Sequence, residues 1–139
     1  MSKPLVSHVG IAVANLQQAI DAYGPLLGDS SPTVTEVPDQ GVKVAIFSGN
    51  SVVGRGRIEL LAATSADSPI ARFIKKRGEG LHHICIGVSD IEKTLASLKE
   101  AGVQLIDETP RVGAEGNRIA FVHPSGMNGV LIELEEESK

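Results

Sequence analysis

The sequence predicts an α+β protein built from two tandem βαβββ units that together form a cleft, and three observations carry that prediction. The stretch Leu81-His82-His83-Ile84-Cys85-Ile86-Gly87-Val88-Ser89-Asp90-Ile91 repeats Ser7-His8-Val9-Gly10-Ile11-Ala12-Val13-Ala14-Asn15-Leu16 at an offset of 75 residues (83 minus 8). Gly41-Val42-Lys43-Val44-Ala45-Ile46-Phe47 returns at the same offset as Gly116-Asn117-Arg118-Ile119-Ala120-Phe121-Val122. Arg57-Ile58-Glu59-Leu60-Leu61 returns as Leu131-Ile132-Glu133-Leu134-Glu135, offset by 74 (133 minus 59).

Residues 7–13 alternate, so Val9, Ile11 and Val13 lie on one face of a strand and His8, Gly10 and Ala12 on the other. The aliphatic face is expected to pack under a helix, while the small neighbours of His8 leave space above the sheet. His83, Cys85 and Gly87 repeat this arrangement opposite Ile84, Ile86 and Val88. Asn15 caps a helix to about residue 27, with Leu16, Ala19, Ile20, Tyr23 and Leu27 at helical spacing, Pro25 tightening the last turn and Gly28 closing it. Residues 33–37 read as a strand, and residues 42–47 pair with 57–62 as a hairpin across the Gly-rich loop 48–56.

Asp67-Ser68-Pro69 starts a connector helix of about residues 68–77. Ile70, Phe73 and Ile74 form its apolar stripe, and Lys75-Lys76-Arg77 sits at its C-terminal end, where the helix dipole favours cations. In the second half Asp90 caps a helix carried by Ile91, Leu95 and Leu98 and ended at Ala101-Gly102. Residues 103–106 read as a strand and 118–123 with 129–135 as a hairpin. The repeat units therefore span about residues 5–63 and 80–136 of one domain, 1–139.

A chain of 139 residues, 42% hydrophobic and 22% charged, is large enough to bury a real core. Its net charge of -4 offers no basic face for nucleic acid, and 3% aromatic content without Trp offers no stacking platform. The single cysteine, Cys85, excludes an intrachain disulfide framework and suits a reducing cytoplasm. No N-terminal segment has the apolar length of a signal peptide or membrane span. The expectation is a soluble cytoplasmic protein without nucleic-acid or membrane partners.

His8, Glu59, His83 and Glu133 recur as one His and one Glu at matched places in each half. Taken singly, each has an ordinary structural explanation, a hydrogen-bonded strand histidine or an outward edge-strand glutamate. Packing gives no reason for the charged position to recur in both halves. Two imidazoles and two carboxylates suit a divalent ion such as Co, Mn, Ni, Zn or Fe with positions left open for substrate, whereas structural zinc favours Cys in closed tetrahedral sites. His82 points to the opposite face from His83, His123 stands at a strand end before Pro124, and Cys85 reads as a small wall residue beside His83.

Paired βαβββ units with ligands on their first and last strands resemble the vicinal oxygen chelate (glyoxalase) superfamily. Within it the methylmalonyl-CoA epimerase family is resembled by Val37-Pro38-Asp39-Gln40-Gly41-Val42, Asp67-Ser68-Pro69-Ile70-Ala71, Gly78-Glu79-Gly80-Leu81-His82-His83-Ile84, residues 113–124, and Gly129-Val130-Leu131-Ile132-Glu133-Leu134. The resemblance implies an epimerase acting on (R)- and (S)-methylmalonyl-CoA by metal-assisted α-proton abstraction, and a homodimer. It also implies that Glu133 is both metal ligand and base. The family's second base is a Glu in the loop equivalent to residues 38–41; here the loop offers Asp39, one methylene shorter, and Gln40, which cannot take a proton. For the CoA phosphates the available cations are Arg72, Lys75, Lys76, Arg77, Arg111 and Arg118. Two rival readings share the scaffold: a glyoxalase I-like enzyme acting on a thiol hemithioacetal, and a metal-free ligand-sequestering protein.

Overall fold

The computed structural model describes residues 3–47, 56–113 and 115–137, so all but Gly56 of the Gly-rich loop 48–56 lies outside the described residues. They form two compact units: His8–His82, and the described residues before His8 together with those from His83 onward. No helix among them is long and apolar enough to cross a membrane.

The His8–His82 unit takes most of β1 (Leu5–Ala12), then α1 (Leu16–Leu27), β2 (Thr33–Val37), a 3₁₀ turn (Pro38–Gln40), β3 (Val42–Phe47), β4 (Arg57–Ala63) and α2 (Pro69–Arg77). Its strands run in the order β2-β3-β4-β1, with β1 parallel to β4 and the other pairs antiparallel. The α1 caps are as predicted: Asn15 Oδ1 accepts from the Gln18 N–H at 3.0 Å, and Gly28 closes the helix in the left-handed region at φ 67.

Alternation along β4 sends Ile58, Leu60 and Ala62 beneath α1, where they meet Val13, Phe47, Leu16, Ile20 and Tyr23. Leu61 and Ala63 turn to the other face with Ala12, Val44 and Ile46, and there α2 docks through Ile70, Phe73 and Ile74. The connector helix thus packs on the first repeat's sheet, and one expectation changes: Ala12, expected to border open space, is fully buried in the cluster that α2 covers. Burying a side chain such as Ile70 contributes about 2 kcal/mol, more than an exposed ion pair, so the apolar stripe rather than the charged end decides where α2 sits.

The other unit holds most of β5 (Gly80–Val88), then α3 (Ile91–Glu100), β6 (Arg111–Val112), β7 (Arg118–Val122), a 3₁₀ turn (Pro124–Gly126) and β8 (Ile132–Glu136), in sheet order β5-β8-β7-β6 with β5 and β8 parallel. Asp90 Oδ1 caps α3 by accepting from the Lys93 N–H at 3.1 Å. Ile91 and Leu95 then pack on Val88, Ala120, Val122 and Leu134. The residues before His8 join this unit: Ser7 Oγ donates to Glu135 Oε1 at 2.9 Å, and a Cβ on Gly87 would lie 3.7 Å from the Leu5 carbonyl oxygen.

The second repeat departs from the first at residues 103–106. In place of a strand there is a single bridge from Leu105 to Val122. The Phe121 carbonyl accepts from both the Ile106 and Asp107 N–H groups, and Asp107 Oδ2 accepts from the Phe121 N–H at 2.8 Å. A side-chain carboxylate thus stands where a strand carbonyl would pair, and the ladder resumes only at β6.

Glu136 ties α3 to the sheet. Its Oε2 accepts from the Ile91 N–H at 3.0 Å, and Arg118 bridges Glu136 and Glu92 at 3.1 Å each. The Ile91 N–H, then the Arg118 guanidinium, hold the Glu136 carboxyl below its ordinary range. A carboxyl lowered in the folded state stabilises the fold above its unfolded pKa, and that contribution is lost as pH falls through the lower folded value. Thermal unfolding of Glu136→Gln is therefore expected to match the parent at low pH and to fall behind it as pH rises past about 4. A constant gap at every pH would contradict this.

Candidate metal centre

In each unit a parallel strand pair brings one His to one Glu. Glu59 is the register partner of Gly10, two residues past His8; Glu133 is the register partner of Cys85, two residues past His83. Because strand side chains alternate with a period of two, each His shares a face with its Glu. His8 Nδ1 lies 3.4 Å from Glu59 Oε2, and His83 Nε2 lies 3.0 Å from Glu133 Oε1. All four residues are buried, with exposures of 3% and 6% for His8 and Glu59 and of 6% and 9% for His83 and Glu133. Removing carboxylates from water costs several kcal/mol each unless cations or donors offset it, and a divalent ion is one cation able to do so. A borderline divalent ion fits this donor set of imidazole nitrogens and carboxylate oxygens.

The neighbouring residues sort as alternation predicts. The His82 ring meets Phe73 of α2 edge-on, with centroids 4.9 Å apart, while the His83 ring meets Phe121 at 6.3 Å. Cys85 is fully buried on the His83 face. His123 caps the 3₁₀ turn, its Nδ1 accepting from the Ser125 N–H at 3.0 Å. Of the cations considered for CoA, Arg118 is engaged by Glu92 and Glu136, and Arg111 lies 3.5 Å from Asp107.

Asp39 is exposed on the 3₁₀ turn between β2 and β3. Gly41 follows at φ 63, its carbonyl accepting from the Thr64 N–H at 2.8 Å, and a Cβ there would lie 2.8 Å from Ser65 Oγ. That anchors the turn past the Ala63 end of β4, about 13 Å along the strand from Glu59 at roughly 3.3 Å per residue.

One residue at the site was not singled out from sequence. Arg57, the register partner of His8, places its Nη2 3.4 Å from Glu59 Oε2. Its position two residues before Glu59 on a strand was the available signal, since such residues share a face.

The chain belongs to the Glyoxalase/Bleomycin resistance protein/Dioxygenase superfamily, whose family model matches residues 7–121. Its relatives within that superfamily include methylmalonyl-CoA epimerases. It is 42% identical over 134 residues to the mitochondrial methylmalonyl-CoA epimerase of Dictyostelium discoideum, an alignment covering 95% of this chain and 78% of the relative. The crystal structure of methylmalonyl-CoA epimerase from Mycobacterium tuberculosis matches with a TM-score of 0.87 and 37% identity, covering 100% of this chain and 93% of that one. A single-substitution variant of Streptomyces coelicolor methylmalonyl-CoA epimerase in complex with 2-nitronate-propionyl-CoA matches with a TM-score of 0.87 and 32% identity, covering 96% of this chain and 94% of that one.

Proposed function

We propose that this chain is an epimerase that interconverts (R)- and (S)-methylmalonyl-CoA. In this reading one divalent ion (Co, Mn, Ni, Zn or Fe) is held by His8, Glu59, His83 and Glu133, and Glu133 and Asp39 move the proton. The supporting observation is the buried His–Glu contact at the same register in both units, in a chain 42% identical to a methylmalonyl-CoA epimerase.

The hydrogen removed is α to a thioester, and its loss leaves negative charge on the thioester oxygen. When bound, a divalent ion supplies Lewis acidity that stabilises such charge. Inversion requires a base on one side of the α-carbon and an acid on the other. Glu133, buried on β8, takes or returns the proton on one face. Asp39, in the turn where the resembled family carries its second base, does so on the other.

Purified protein is expected to bind one divalent ion per chain and to exchange the methylmalonyl-CoA α-proton with deuterated solvent. Metal binding without exchange, alongside turnover of a glutathione hemithioacetal, would overturn the epimerase reading in favour of a glyoxalase. Asp39→Asn should slow epimerisation about a hundredfold, as loss of one acid–base group does. Exchange of the epimer whose proton faces Glu133 should persist in that variant. Unimpaired epimerisation would remove Asp39 from the pair.

The assembly we propose is a homodimer in the cytoplasm. β2 and β6 each stand at an edge of their unit's sheet, with Val34 and Val112 exposed, and sheet edges of this kind are often covered by a twofold partner. A chain with a single cysteine, Cys85, accords with a reducing compartment.

A further inference from the structure

We propose that Arg57 is a positioning residue that balances charge at the metal centre. It holds Glu59 in place and weakens the grip on the bare ion so that an anionic substrate binds more tightly. The inference rests on the proposed reading of His8, Glu59, His83 and Glu133 as ligands of one divalent ion.

Arg57 lies directly across the β1–β4 pair from His8 and on the same face as Glu59. Its Nη2 is 3.4 Å from Glu59 Oε2, the same oxygen that faces His8 Nδ1 at 3.4 Å. The Arg57 side chain is 14% exposed and that of Glu59 8%, so solvent screens this charge little. A guanidinium brings a full positive charge and a planar fork of N–H donors to this point.

A fixed cation in this place acts with opposite sign on the two species the centre must bind. It competes with an incoming ion for Glu59 Oε2 and repels that ion. It attracts the malonyl carboxylate and the negative charge that develops on the thioester oxygen. Two neutral imidazoles, two carboxylates and one divalent ion carry no net charge together; with Arg57 the loaded centre becomes a monocation, the complement of a substrate carboxylate. A residue that merely braced Glu59 would have the other signature, because losing it would loosen a ligand and weaken metal binding.

The experiment titrates Co(II) into the metal-stripped full chain for the parent, Arg57→Gln, Arg57→Met and Arg57→Lys, and measures kcat and KM for methylmalonyl-CoA on the loaded forms. Both neutral variants are expected to bind Co(II) on the order of tenfold more tightly and to raise KM by a similar factor, with kcat less affected. Lysine should return both quantities toward the parent. Neutral variants that bind Co(II) equally or more weakly, or a Lys variant that behaves like them, would overturn the proposal. If the parent itself binds no Co(II), the assignment of His8 and Glu59 as ligands fails and Arg57's role with it. Parent binding with unchanged variants removes the role of Arg57 alone.

Discussion

Glu133→Gln is expected to lower exchange of the methylmalonyl-CoA α-proton by on the order of a thousandfold, the scale of removing a general base, while the ion stays bound. The substitution is nearly isosteric and keeps an oxygen donor at the position 3.0 Å from His83 Nε2, but an amide cannot take a proton. The two roles proposed for this residue are thereby separated. Metal content per chain, measured beside NMR exchange in deuterated solvent, checks both: loss of exchange with metal retained supports base and ligand together. Full exchange in the variant would move the base elsewhere. Loss of the ion along with exchange would reduce Glu133 to a ligand, and proton removal would need another carboxylate.

Sequence repetition made the two His–Glu contacts legible because parallel register and alternation are both rigid. Once Glu59 and Glu133 recur at nearly the offset of His8 and His83, a period-two strand forces each pair onto one face, and the contacts at 3.4 and 3.0 Å follow. The same alternation separated His82 from His83 correctly. What did not repeat was harder to read. α2 lacks a counterpart in the second half, so nothing local told which sheet its Ile70–Phe73–Ile74 stripe would cover. The missing strand at residues 103–106 turns on Asp107 accepting from the Phe121 N–H, a long-range side-chain contact without a local pattern. Arg57 went unread for a different reason. It sat inside a recognised repeat segment, but its counterpart is Leu131, and a search for matched positions passes over a residue whose charge occurs once.

Replacing either ligand histidine is expected to empty the proposed centre as a whole. A single His–Glu pair offers only two donors, too few to hold a catalytic divalent ion against water, whereas the two pairs together supply four and leave positions for the substrate's thioester and carboxylate oxygens. His8→Ala and His83→Ala should each therefore weaken metal binding by at least about a hundredfold, since loss of even an outer-shell partner costs tenfold to a hundredfold. Each should abolish exchange, and the double variant should add little to either single one, the non-additivity of residues that act as a unit. A chelator should have the same effect on the parent, reversed by adding the ion back. If the pairs served separate ions, titration would find two per chain, each variant would lose one and keep the other at parental affinity, and the double variant would sum the losses. The repeat allows either arrangement, because duplication copies a pair whether or not the copies cooperate. The chemistry favours one shared ion: charge developing on a single thioester oxygen is stabilised by a single Lewis acid.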